Sequence, residues 1–240
     1  MRGPDDTVQT ARRFYKAVEI QPDEGGHAVR LDGRSPKSPG GRSLILPTPG
    51  LARVVADEWD RQAEFIRLAE MPATRLAFTA LEKTADVRDG LADEYARYAG
   101  SDALCYFADS PEALVAEQTV AWGPVLDWAE ADHGLRLERT AGIIHRAQPI
   151  ESLNRARELA LSEDDFGLIG LVHATTLFGS AVLALAVRRG RLTGDEAHEL
   201  ARLDEAFQER LWGVDAEAAE RTANRLAEAR MLHAWFSALK

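Results

Sequence analysis

The chain has 240 residues, a formal net charge of −10, 45% hydrophobic and 28% charged residues, and one cysteine. Such acidity argues against a nucleic-acid partner, which needs clustered Lys and Arg to neutralise phosphates. The lone Cys105, between Leu104 and Tyr106, excludes an internal disulfide and reads as a packed thiol.

At this length one large domain or two small ones can each bury a core. The opening Met1 to Asp6 shows neither the apolar run of a secretory signal nor the Arg- and Ser-rich makeup of a transit peptide. The expectation is a bacterial cytoplasmic protein, or a mature mitochondrial matrix protein.

Arg13 to Ile20 reads as a strand, Pro22 to Gly26 as a turn and Ala28 to Leu31 as a second strand. Asp32-Gly33 reverses the chain, and its turn chemistry accounts for Asp32-Gly33-Arg34 without a site. Pro36, Pro39, Gly40 and Gly41 keep the next piece short and at an edge, before a strand at Ser43 to Leu46. From Leu51 the period changes: Leu51, Val54, Val55, Trp59, Gln62, Phe65 and Ile66 share one helical face, so a helix covers the sheet. The expected fold class is α+β, with a small N-terminal antiparallel sheet and covering helix over 1–70, then a larger all-α domain over 71–240.

Pro72 suits the first turn of a helix. Val87 to Ala99 carries Leu91, Tyr95 and Tyr98 on one stripe, and Pro111 opens a helix that Gly123-Pro124 should kink or divide. Leu168 to Val187 has no formal charge, so a membrane span must be weighed. His173, Thr175, Thr176 and Ser180 weaken its hydropathy, and a central core helix is expected instead, with His173 a core histidine holding a hydrogen-bond partner. Thr193 and Glu196 have capping-box spacing and open the following helix. That helix carries Leu200, Leu203, Phe207 and Leu211 on one face and Glu205, Gln208 and Trp212 on the other, then breaks at Gly213. Either Trp212 folds back onto a neighbouring helix, or the second face meets a partner.

Leu31-Asp32-Gly33-Arg34, Glu58-Trp59 with Gln62, Met71-Pro72-x-Thr74-Arg75-Leu76-Ala77-x-Thr79-Ala80, Ser101-Asp102, and Gln118 with Trp122 and Pro124 recur in order with Leu203-Asp204-Glu205, Gln208, Trp212-Gly213 and Asp215. Together they resemble the assembly chaperones that bind the alpha subunit of the F-type ATP synthase catalytic head, in mitochondria and bacteria. The resemblance implies a stoichiometric chaperone that covers the beta-facing interface of an unassembled alpha subunit until the beta subunit replaces it. It also implies partner-binding roles for Glu205, Gln208, Trp212 and Asp215. Glu205 would be a contact or a helix anchor, and Asp215 a contact or the cap of the last helix. Val214 is less polar than the family pattern leads one to expect.

No H-x-x-x-H or H-E-x-x-H spacing, nucleophile elbow or phosphate loop occurs, so no metal, cofactor or catalytic residue is expected. A monomer without stable membrane insertion is expected. The alternatives are a helical scaffold with another client, and an enzyme with a dispersed catalytic site or a small-molecule pocket between the two domains.

Overall fold

The computed structural model describes residues 11–142, 144–213 and 216–240. It divides into two compact units, one up to Glu82 and one from Lys83.

In the first unit β1 (Val18–Asp23), β2 (Gly26–Leu31) and β3 (Ile45–Leu46) form an antiparallel sheet in sequence order. The strand expected from Arg13 starts only at Val18. The amides of Lys16 and Ala17 go instead to the Asp32 carboxylate, at 3.1 and 2.8 Å. These bonds lower the Asp32 pKa, and Asp32 and Gly33 take φ of 47° and 81°, the left-handed values of a two-residue hairpin turn.

Helix α1 (Pro49–Asp60), capped by Thr48, covers the sheet with Leu51, Val55 and Trp59. It stops short of the Ile66 expected from the spacing. Beyond Arg61 the chain turns extended and bonds the N-terminal segment, Ile66 N to Ala11 O and Arg13 N to Glu64 O, both at 2.8 Å. Helix α2 (Pro72–Thr79) belongs to this unit too. Buried Glu58 caps it, accepting from the amides of Ala73 (2.8 Å) and Thr74 (2.7 Å) and from the Thr74 hydroxyl (2.8 Å).

A π-helical turn, Ala80–Thr84, leads into the second unit. There α3 (Ala85–Ala99), α4 (Glu112–His133) and α5 (Ile150–Leu161) precede α6 (Asp165–Phe178) and α7 (Ala181–Arg189). After them come α8 (Gly194–Ala201), α9 (Leu203–Trp212) and α10 (Ala216–Ala238). The two-residue strands β4 (Tyr106–Phe107) and β5 (Thr140–Ala141) pair in parallel, an addition the sequence did not signal.

Pro124 lies inside α4 without dividing it. The expected single helix over 168–187 is two helices. Gly179 ends α6 at φ 66°, and Ser180 caps α7 by accepting from Leu183 N at 3.0 Å. Ala181 to Val187 are all buried, so the segment is the core even though it is broken. Among the described residues no helix is long and apolar enough to cross a membrane.

Buried Asp102 joins the α3–α4 connection to α7. It accepts from Leu104 N at 3.1 Å and Val182 N at 3.0 Å, and burial pushes its carboxyl up to about 6. Burial likewise pushes the Cys105 thiol up, so the thiol is packed and unreactive. His173 does have its partner, Glu228 at 2.6 Å, but is part-exposed rather than a core residue.

Candidate functional site

The helix expected to run on from Thr193 breaks at Arg202, where φ is −114° and ψ 18°. The capping box at Thr193 and Glu196 forms. Ending α8 frees carbonyls that a continuous helix would have bonded, and the Trp122 indole of α4 donates to that of Leu200 at 3.0 Å. A second tie comes from Gln118, fully buried on α4. Its Oε1 accepts from Ala108 N (2.7 Å), and its Nε2 donates to Asp204 (2.6 Å). Arg210 pairs with Glu117 at 2.5 Å and lies over the buried Phe207 ring. Helix α9 is thus held on α4 by Asp204 and Arg210, and its outer side is free to face solvent.

That outer side carries Glu205, Gln208 and Trp212. Glu205 is exposed, Gln208 half-buried and Trp212 78% exposed. The structure therefore does not fold Trp212 back onto a neighbour. Leu211, expected on the inner stripe, is 60% exposed as well, because α9 ends at Trp212 and nothing among the described residues covers its last turn. Among the described residues no side-chain hydrogen bond or ion pair is made by Glu205, Gln208 or Trp212. Asp215 and Val214 lie outside the described residues.

Several other polar members of the sequence pattern have internal partners. Asp32 ties a hairpin, Glu58 caps α2, Asp102 caps α7 and Gln118 anchors α9. Gln62 accepts from Arg67 N at 2.7 Å. Behind Glu205 lies a feature that the sequence reading missed. A cavity of about 40 Å³ is lined by Leu177, Phe178, His198, Ala201, Arg202, Glu205, Thr222 and Arg225. His198 is 8% exposed and its Nε2 has no partner. Burial, then Arg202 and Arg225, lower its pKa. Among the described residues no group of three or more His, Cys, Asp or Glu could hold a metal.

Glu205 and Trp212 thus stand exposed on a helix that Asp204 and Arg210 tie to α4. Residues 12–130 match the family model described as ATP12 chaperone protein. The chain is 43% identical to the crystal structure of Atp12 from Paracoccus denitrificans, with a TM-score of 0.89 over 96% of this chain and 99% of that one. A putative chaperone from Agrobacterium tumefaciens is 40% identical, with a TM-score of 0.89 over 95% and 86%. The mitochondrial protein atp12 of Schizosaccharomyces pombe is 27% identical over 221 residues, 87% of this chain and 76% of that protein. The chain belongs to the ATP12 chaperone family, a family of ATP synthase assembly chaperones, and is not an enzyme.

Proposed function

We propose that the protein binds the unassembled alpha subunit of the F-type ATP synthase and shields its beta-facing interface until the beta subunit replaces it. It would act in the bacterial cytoplasm. The observation that carries this reading is the contrast within the family-like residues. Asp32, Glu58, Asp102 and Gln118 are spent on internal hydrogen bonds, whereas the side chains of Glu205 and Trp212 are exposed and have no partner among the described residues. A Trp on a rim of charge suits a contact whose apolar centre is desolvated on binding. An unassembled subunit exposes an apolar interface of that kind, an aggregation hazard if left uncovered. Glu205, Gln208 and Trp212, with Asp215 by the resemblance, form the contact.

The test is co-expression with an alpha subunit, affinity capture and addition of beta subunit as competitor. Alpha is expected to be captured and then released by beta. Glu205→Lys should abolish capture while changing unfolding stability by less than about 0.5 kcal/mol, since the side chain is exposed and unpaired. An alpha subunit that is uncaptured, and equally soluble without the chaperone, would overturn the reading.

A further inference from the structure

The non-helical Arg202 separates α8 from α9, and α4 reaches both sides of this break. Before it, the Trp122 indole donates to the Leu200 carbonyl at 3.0 Å. After it, Gln118 Nε2 donates to the Asp204 carboxylate at 2.6 Å. Gln118 and Trp122 are both buried and stand one turn apart on the same face of α4. The pair clamps the two flanks of the break.

Little else gives α9 a direction. Phe207 is its one buried residue, and apolar burial is non-directional. Arg210 and Glu117 pair at 2.5 Å, but their side chains are 54% and 45% exposed, so water screens the pair. Arg202 pairs with Glu209, which ties the break to α9 itself and not to α4. Gln118 by contrast offers a buried donor to a carboxylate, a charge-assisted bond. Its far end is fixed too, since Oε1 accepts from Ala108 N at 2.7 Å. A flipped amide would set donor against donor at Ala108 and acceptor against acceptor at Asp204. At about 1.5 Å per residue, Trp212 lies about 12 Å along α9 from Asp204, so a tilt of about 20° there would carry the indole about 4 Å.

We propose that Gln118 is a positioning residue for client capture. Without touching the client, it holds α9 by Asp204 at the angle that presents Glu205, Gln208 and Trp212 together to a protein partner. This rests on the reading of the Glu205 face as the client surface.

The experiment measures capture of an alpha subunit by the full chain and by its Asp204→Ala, Asp204→Asn and Gln118→Met variants, with amide hydrogen exchange on each chain alone. Asp204→Ala and Asp204→Asn remove the same charge from the first turn of α9, but only asparagine keeps a carbonyl for Gln118 Nε2 to bond. Asp204→Ala and Gln118→Met should each weaken capture about tenfold, as loss of the bond makes the competent angle a minor share of the ensemble. Combining the two should weaken it no further, because both remove one interaction. Asp204→Asn should stay within about threefold of the unaltered chain. In Asp204→Ala the α9 amides should exchange about tenfold faster while those of α7 are unchanged. Capture that survives both Asp204→Ala and Gln118→Met overturns the proposal. An equal loss in Asp204→Asn and Asp204→Ala also overturns it, since the Asp204 charge would then touch the client directly. Faster exchange throughout the chain would make Gln118 a residue of the general fold and overturn it as well. An unaltered chain that captures no alpha subunit sinks the client reading itself, whereas capture that the variants retain sinks the role of Gln118 alone.

Discussion

Asp102 is a carboxylate with no exposure to solvent, held by the amides that open α7. Burial raises its pKa from 3.8 to about 6, so the folded state binds its proton more tightly than the unfolded chain. The stability this group contributes is therefore complete below its unfolded pKa of 3.8 and is lost as pH rises through about 6. Asp102→Asn removes that dependence along with one acceptor. The variant should be less stable throughout, and its deficit, read from urea unfolding, should be about 1 kcal/mol larger near pH 5 than near pH 7.5. A deficit that does not change with pH would mean that Asp102 is ionised throughout that range.

Single residues also mark what the sequence made legible. Thr193 with Glu196 and Asp32 with Gly33 carry their geometry in their own side chains and φ preferences, so the capping box and the hairpin turn were readable locally. The roles of Glu58, Gln118 and Asp102 were not. Each caps or anchors an element distant in the chain, and nothing in a stretch such as Glu58-Trp59 announces its acceptor duty toward Ala73 and Thr74. His198 was missed for the same reason, since its orphaned nitrogen exists only once α8, α9 and α10 converge.

Among elements, α6 and α7 divide a run that composition presents as continuous. Both halves are buried, so hydropathy carried no trace of the break, although Gly179 followed by Ser180 is the usual pairing of a left-handed stop with a cap. The break at Arg202 had no such signal, because arginine is an ordinary helix former. Two alanine substitutions separate the ways in which glycine serves these helices. A Cβ on Gly170 would meet Phe236 and Trp235 of α10, each at 2.9 Å, so Gly170→Ala should cost about 1–3 kcal/mol by forcing α6 and α10 apart. Gly179 has open space around it but a φ of 66°, and Gly179→Ala should cost about 1 kcal/mol from backbone strain alone. Chemical denaturation that ranks Gly179→Ala as the worse of the two would contradict this packing account.

For the molecule as a whole, the five tryptophans offer a reporter. Trp59, Trp122 and Trp235 are buried, and Trp212 is 78% exposed. Acrylamide should quench Trp212 far more than those three, and Trp212→Phe should remove most of the quenchable emission. If the α9 face is where a client docks, a saturating client should protect that same fraction. Unchanged quenching in the complex would place the contact elsewhere.

Pro124 bears on where such a contact can spread. Proline has no amide to give the carbonyl four residues earlier, that of Val120, whose side chain is 77% exposed. The α4 surface at Val120 therefore holds a backbone acceptor that depends on hydration. A greasy partner laid over Val120 would have to strip that carbonyl dry or bring a donor of its own. Val120, for all its exposure, belongs to a stretch of helix with a built-in preference for staying wet, which favours confining a dry contact to Leu211 and Trp212.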